Sequence, residues 1–471
     1  MDSYRLVRDI PIEEGYDLVV AGGGPAGSAA TICAARLGAR VLLVEATGCL
    51  GGMGTSGLVT SFDPMADGEG MLVGGFMREL VEKMYERGFI PDSVTPDYWR
   101  KNYHFWTPFS GEGLKLLLDE LAMEAGVEVR FFTRVIDADV EMQTRQVRGV
   151  VINNIEGYQC IRAKTFVDAT GDAVLANICG VSCREAGRDT SKIMPPSLCS
   201  LFAGIDWDRI KMGGWTKDDP QTIVPSEQQE KLEKAIADGH FSQPDYHLPG
   251  MIRVGECVGF LNAPHVFDVN ALRCRSLSDG MMKGRKLARE YMEFYRKYIP
   301  GFENIEHVTT ATLMGVRESR RIVGEYELNY DDYLAHRQFP DQIGVFNKAV
   351  DIHPYDGSYG EYERAHNEFL QDRLGPGECF GIPYGILVPR GWKNLWVAGR
   401  CASSDVKVHG SIRVQPAASM MGQAAGTAAV YSIKTRQPAY DLDTAQLVEL
   451  LRKAGAYLPQ RNLSKKMTRS S

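Results

Sequence analysis

Cysteine is scarce. Ten cysteines are scattered from Cys33 to Cys401 in 471 residues. That density suits reduced thiols and excludes a disulfide framework. Cys179 and Cys183 stand four apart, but no second Cys/His pair with metal-site spacing lies near them, so no metal site is expected. Long apolar runs are missing as well. No stretch approaches about 18 uninterrupted apolar residues, so no membrane span is expected. The opening, MDSYRLVRDIPIEEGYDLVV, has acids before its first apolar run and lacks the basic lead of a secretory signal. The expected location is the cytoplasm. An excess of basic charge is also absent: 53 Lys and Arg against 60 Asp and Glu leave a formal charge of -7. Such a surface does not attract phosphate backbones, so no nucleic-acid partner is expected. The small basic cluster Lys465, Lys466 and Arg469 reads as a solvated tail. Repeats and low-complexity tracts are absent too. Oligomeric state is left open.

What is present is ordinary globular composition, 44% hydrophobic and 24% charged. It is enough for a sizeable core in one composite domain or two to three smaller ones. The first sixty residues carry the strongest pattern. Tyr16 to Ala21, YDLVVA, reads as a buried parallel strand. Gly22-Gly23-Gly24-Pro25-Ala26-Gly27 follows as G-x-G-x-x-G, and the alanine-rich SAATICAARLGA reads as a helix stopped by Gly38. Arg40 to Val44 is a second buried strand, ending in Glu45. Gly22 permits a tight turn, Gly24 close approach of backbone to a diphosphate, and Gly27 helix-to-strand packing. The helix N-terminus, at Pro25 and Ala26, offers unpaired N–H groups to the anion. Glu45, 18 residues after Gly27, can accept hydrogen bonds from ribose hydroxyls and repels a 2′-phosphate. Strand, glycines, helix, strand and acid in this order predict a dinucleotide site. A mere glycine-rich turn would not explain the acid.

After Glu45 and Ala46 the chain reads TGCLGGMGTSGLVTS, with Gly51, Gly52 and Met53 where backbone can pass close to a bulky ligand. At this point the sequence resembles the FAD-dependent oxidoreductases of the two-dinucleotide-binding-domain type, in which a second glycine pair follows the ribose acid. The resemblance returns at VDATGD (Ala169, Thr170, Gly171), at NLWVAGR (Gly399, Arg400), at RESRR (317 to 321) and at HGSIRVQPAASMMGQAAGTAA (409 to 429). It implies FAD as cofactor, with Val135, Gln415 and Ala417 also at the flavin, and a closing helix whose N-terminus points at the ring. The chain departs from the family at Arg400, where many relatives have an Asp for the ribityl chain; approach to a phosphate is one alternative role for it. No second strand/G-x-G-x-x-G/helix unit is found, since Gly375 to Gly381 runs into Ile382-Pro383 and cannot open a helix. A built-in NAD(P)H domain is therefore not expected, and electrons should pass to or from a diffusible partner.

The expected fold class is α/β: a Rossmann-like FAD-binding domain with a parallel sheet, discontinuous in sequence, and a second mixed α+β substrate domain. Residues 1–60, 111–194 and 375–440 are assigned to the FAD domain and 195–374 to the substrate domain. Residues 61–110, with the aromatic run Tyr103-His104-Phe105-Trp106, are assigned to a lid or interface insert. Residues 441–471 are a C-terminal helix and tail.

Four residues are candidates for chemistry beside the flavin. His409 precedes the closing helix and has a side chain suited to proton transfer at neutral pH, though a loop histidine bonding backbone is the equal alternative. Arg413 could fork onto a substrate carboxylate or bond strand carbonyls. Arg317, Arg320 and Arg321 would share one face of a helix, as an ion-pair cluster with Glu318 or Glu325 or as an anion site. Tyr384 either donates a hydrogen bond in the active site or packs. Cys49 and Cys401 are covalent anchors or, more commonly, inert buried thiols. The function expected is hydride transfer between a small organic substrate and FAD. Two rivals are a redox-neutral FAD lyase, hydratase or isomerase, and a flavin- or nucleotide-binding protein without catalysis.

Overall fold

The structure is a computed structural model that describes residues 4–101, 106–210, 225–248 and 250–459. Lys465, Lys466 and Arg469, and Tyr103 to Phe105 of the aromatic run, lie outside the described residues.

Seven strands make the main sheet: β1 (Ile12–Ala21), β2 (Val41–Val44), β3 (Glu128–Arg130), β4 (Arg134–Glu141), β5 (Gln146–Asn154), β6 (Gly157–Asp168) and β7 (Leu395–Val397). Tyr16 and Leu18 to Ala21 of β1 are all buried, as a strand covered on both faces requires. The order is β3-β2-β1-β6-β5-β4. Strands β3, β2, β1 and β6 run parallel, and β4 and β5 form an antiparallel meander on β6. The far half of β6 pairs instead with β7, in parallel. The register aligns Val44, Ala21, Asp168 and Val397 in one row. Four strands thus end together, and the loops after them share one edge. Open parallel sheets bind ligands at that edge.

Helix α1 (Pro25–Arg36) leaves β1 and ends at Gly38, whose φ of +89° is the left-handed stop expected. It lies against α6 (Gln415–Thr435), whose Gly422 and Gly426 face it. A Cβ at these glycines would sit 2.0 Å from the Ala26 carbonyl oxygen and 2.2 Å from that of Ala30. Only bare backbone allows so close a crossing, and it brings the N-termini of both helices to the same cavity. Helix α2 (Gly75–Glu86) places Phe76, Met77, Leu80, Val81 and Met84 in the core shared with α1, α6 and α3 (Gly111–Glu124).

A second, antiparallel sheet has the order Met251–Arg253, Gly259–Leu261, Ser200–Ala203, Glu306–Thr310. Its own core joins Phe202 and Leu261 to Tyr291, Phe294 and Tyr295 of helix α4 (Cys274–Tyr298). One local expectation fails. Arg320–Ile322 is not helical but an extended strand, paired antiparallel with Cys183–Glu185. Successive side chains therefore diverge. Arg320 meets Glu185 at 3.2 Å, and Arg321 meets Asp189 at 2.5 Å. Glu325, one of the two expected partners, accepts the Gly391 N–H at 2.5 Å. No helix among the described residues is long and apolar enough to cross a membrane.

Candidate functional site

A cavity of about 950 Å³ opens at the aligned strand ends. This is the upper end of the usual range for small-molecule and cofactor pockets. One end is lined by Gly22, Gly24, Pro25 and Ala26, by Glu45 and Ala46, and by Val135, Ala169, Thr170 and Gly171. Gly22 has φ +94°, and a Cβ there would lie 2.6 Å from the Ala169 carbonyl oxygen. Gly27 does not line the cavity; its added Cβ would fall 1.7 Å from the Gly22 carbonyl oxygen, so it holds α1 against the turn. Helix α1 has no side-chain cap, which leaves its first N–H groups for an anion. The Glu45 carboxylate accepts the Gly23 N–H and the Thr47 N–H, each at 2.6 Å. A carboxylate has about four acceptor sites, so capacity for ribose hydroxyls remains.

The middle of the cavity is lined by Gly52, Met53, Gly399, Arg400, Gln415 and Ala418. Gly51 stands behind, its N–H donating to the Gly23 carbonyl at 2.8 Å. Ala417 is buried and does not line the cavity; its neighbour Ala418 does. Helix α6 also begins without a side-chain cap. The donors of Arg400 are taken by protein: Gly171 O at 2.7 Å, Val316 O at 2.8 Å and Asp172 Oδ1 at 2.5 Å. With three of its N–H groups so engaged, the guanidinium ties the Gly171–Asp172 and Val316 loops to its own.

Of the four candidates for chemistry, the structure brings Arg317 and Arg413 to the cavity and leaves His409 and Tyr384 behind its wall. The Tyr384 hydroxyl donates to Ala439 O at 2.9 Å and accepts Trp396 Nε1–H at 2.8 Å. It is a packing tyrosine with a satisfied hydroxyl. His409 sits in the short helix α5 (Val406–Ile412), is buried, and its Nε2–H donates to the Arg317 carbonyl at 2.9 Å. It positions the Arg317 backbone. Burial, then the cations Arg321, Arg413 and Arg400, hold its pKa well below the ordinary value. The unfolded chain therefore takes this proton first as pH falls. The contribution to stability is intact above pH 6.5 and drains below it, by about 1 kcal/mol at pH 5.5. His409→Gln keeps a donor for the carbonyl and cannot titrate. Its unfolding free energy should fall between pH 7.5 and 5.5 by about 1 kcal/mol less than the parent's. Equal losses in a denaturant melt would contradict this.

The far end of the cavity is charged, and most of it escaped the sequence reading. Arg317, 5% exposed, donates to Pro195 O at 2.6 Å and to Ser197 Oγ at 3.1 Å. Arg413 meets Asp351 at 3.0 Å. Lys348 meets Asp63 at 2.5 Å; burial would lower its pKa, but Asp63 and Asp351 carry it above the ordinary value. Burial, then the neighbouring Arg413, brings Arg317 down to about 10. Beside them stand His247, His265 and His353. Burial opposes the charge on Asp245 and Asp351, yet the surrounding histidines, with Arg413 and Lys348 at Asp351, hold both below the carboxylate range. Burial pushes all three imidazoles toward the neutral form, His247 to about 4. Histidine is rare here, nine in 471 residues. That scarcity was the only signal, since no motif joins residues that far apart.

The chain matches a family model described as FAD dependent oxidoreductase over residues 17–451. It is 32% identical over 178 residues to thiamine thiazole synthase of Aeropyrum pernix, a match that covers 34% of this chain and 56% of that relative. The chain thus spans little more than half the length of that curated relative. Among solved structures, it is similar to a geranylgeranyl bacteriochlorophyll reductase-like protein from Thermoplasma acidophilum, with 16% identity and a TM-score of 0.48, covering 94% of this chain and 84% of that one. A similar likeness is to L-proline dehydrogenase from P. horikoshii, with 14% identity and a TM-score of 0.42, covering 94% and 99%.

Proposed function

This chain belongs to the FAD dependent oxidoreductase family, and from that premise we propose that it oxidises a small, anion-bearing hydroxy compound, or runs the reverse reduction, at the charged end of the cavity. It is an enzyme, and its cofactor is FAD. The residues fit that cofactor: a bare-backbone turn at an uncapped helix, an acid at the second strand tip, and a second uncapped helix facing the same cavity. Bound FAD supplies the hydride chemistry. Gly22 to Ala26 would hold the diphosphate, Glu45 the ribose, and the start of α6 the ring. Arg317 holds the substrate's anionic group. Arg413, tied to Asp351, orients the oxygen that changes between hydroxyl and carbonyl. The proton that leaves this oxygen is released at the imidazole end, where His247 and His353 line the wall. Electrons then leave to a diffusible acceptor.

The observation that supports this reading is the continuity of one cavity from the cradle to Arg317 and the histidines. Anaerobic titration of the FAD-loaded protein with hydroxy acids, neutral polyols and amines tests it. Hydroxy acids should bleach the flavin band at least about tenfold faster than neutral polyols, one charge-assisted contact being the difference. Bleaching by amines alone, or by no member of the panel, would count against it. The match to a synthase keeps a second reading open, chemistry without net oxidation. Sustained product formation with no electron acceptor present would favour that one.

A further inference from the structure

The three histidines at the far end of the cavity come from distant parts of the chain and meet in a particular way. His265 Nδ1 lies 3.0 Å from Asp245 Oδ2, and His353 Nε2 lies 3.3 Å from Asp351 Oδ1. Each carboxylate is itself fixed: Asp245 accepts the main-chain N–H of His247 at 3.0 Å, and Asp351 accepts a guanidinium N–H of Arg413 at 3.0 Å. A carboxylate thus stands on the outer side of each of these two rings. The inner nitrogens, His265 Nε2 and His353 Nδ1, face one another at 2.8 Å, hydrogen-bonded through a proton carried by one of them. Moving that proton to an outer nitrogen, beside a carboxylate, leaves both inner nitrogens with lone pairs for a metal ion.

Two occupants are possible: a shared proton or a metal ion. A proton joins only His265 and His353 and leaves the His247 ring outside the contact. A metal ion uses His247 as well. One ligand atom from each of the three rings lies within 4.8 Å of the other two. Ligand nitrogens 2.0 to 2.1 Å from one ion stand roughly 3 to 3.4 Å apart; the 2.8 Å pair is close to that, and the His247 nitrogen, within 4.8 Å of both, would have to move inward. The outer carboxylates reproduce the arrangement that orients metal-bound imidazoles and raises their basicity. Three neutral nitrogen donors suit first-row transition metals such as zinc, iron or cobalt, not calcium or magnesium.

We propose that His247, His265 and His353 bind one divalent first-row transition-metal ion, with its open positions turned into the cavity that holds the cofactor. Three protein ligands with open positions are the arrangement of catalytic, not structural, metal sites. A substrate hydroxyl bound there would lose its proton to solvent at neutral pH, because the cation stabilises the alkoxide; the three imidazoles, as ligands, would hold the ion and not the proton. This names how the imidazole end handles the proton, and to that extent it rests on the function proposed above. Metal binding itself does not.

The test is metal content. FAD-loaded protein is stripped with a chelator, dialysed separately against zinc(II), cobalt(II), manganese(II) and anaerobic iron(II), and analysed by mass spectrometry for metal and FAD. About one ion per chain is expected for at least one of the four, with cobalt(II) adding ligand-field bands beyond the flavin absorption. His265→Gln should abolish uptake. His247→Gln, at the partly exposed position, should weaken it. Asp245→Asn should weaken it about 10- to 100-fold, as loss of an outer carboxylate does. Retained FAD reports that each variant is folded. Uptake of only trace metal by the parent, or uptake undiminished from the parent's in FAD-replete His247→Gln and His265→Gln, overturns the proposal and assigns the gap to a proton. Metal uptake without oxidation of any hydroxy acid would retain the site and remove the substrate reading.

Discussion

Gly24→Ala should melt as the parent does without cofactor, yet bind FAD about 100-fold more weakly, a loss of about 2.7 kcal/mol. The two halves of this expectation come from different observations. An added Cβ at Gly24 meets no protein atom within 4 Å, and the residue's φ of -67° and ψ of -171° are open to alanine. As the N-cap of α1 the glycine is slightly better than alanine, so the cost to the apo fold is at most about 1 kcal/mol. The space beside Gly24 is nevertheless the cavity wall at the turn. A methyl there occupies the room that a diphosphate needs, and overpacking of that kind costs about 1–3 kcal/mol. Gly27→Ala makes the contrast. Its Cβ collides with the Gly22 carbonyl, so stability and FAD affinity should fall together. Titration of apo protein with FAD, followed by flavin fluorescence, and melting of the apo forms separate the cases. Parental FAD affinity in Gly24→Ala would mean that the diphosphate does not pass this turn.

The cradle was legible because its signals are local. YDLVVA, the glycines, the alanine-rich helix, RVLLV and Glu45 fall within thirty residues or so, and each part has its own composition or spacing. The return of the chain at β7 and α6 was legible through resemblance rather than pattern. Where the reading missed, the determinants were short or distant. RESRR has no periodicity that separates a helix from an extended strand, and its pairing partner at Cys183–Glu185 lies more than a hundred residues earlier. Helix α5 has seven residues, too few for an apolar face to reveal that His409 points inward. The contact between His265 and His353 spans 88 residues. Nothing near either one marks it, because the loops that bring them together are set by the second sheet and by the turn after Phe346. The same physics explains Arg400. Its partners come from two loops, Gly171 with Asp172 on one and Val316 on the other, and only the assembled edge shows the guanidinium so engaged.

Arg317→Met should lower kcat/KM for an anionic substrate about 10- to 150-fold, the worth of one charge-assisted hydrogen bond, with little change in Tm or FAD affinity. The basis is a comparison among the arginines around the site. Arg320 is paired with Glu185, Arg321 with Asp189, Arg400 with Asp172 and Arg413 with Asp351. Among the described residues, Arg317 has no carboxylate within 4.0 Å and is held only by Pro195 O and Ser197 Oγ. A buried cation without a contact anion is costly, and replacing it with an apolar side chain of similar length removes that cost. Against this stands the Pro195 carbonyl, which loses a donor at a cost of about 1–3 kcal/mol. The two nearly cancel, so stability should stay within about 2 kcal/mol of the parent. Arg317→Lys keeps a charge but loses the fork that can grip a carboxylate while still reaching Pro195, so it should recover only part of the lost kcat/KM. Neutral substrates, if turned over at all, should be indifferent to either change. A methionine variant with unaltered kcat/KM and a much lower Tm would make Arg317 a structural residue and leave the anion to be held by Arg413 or Lys348.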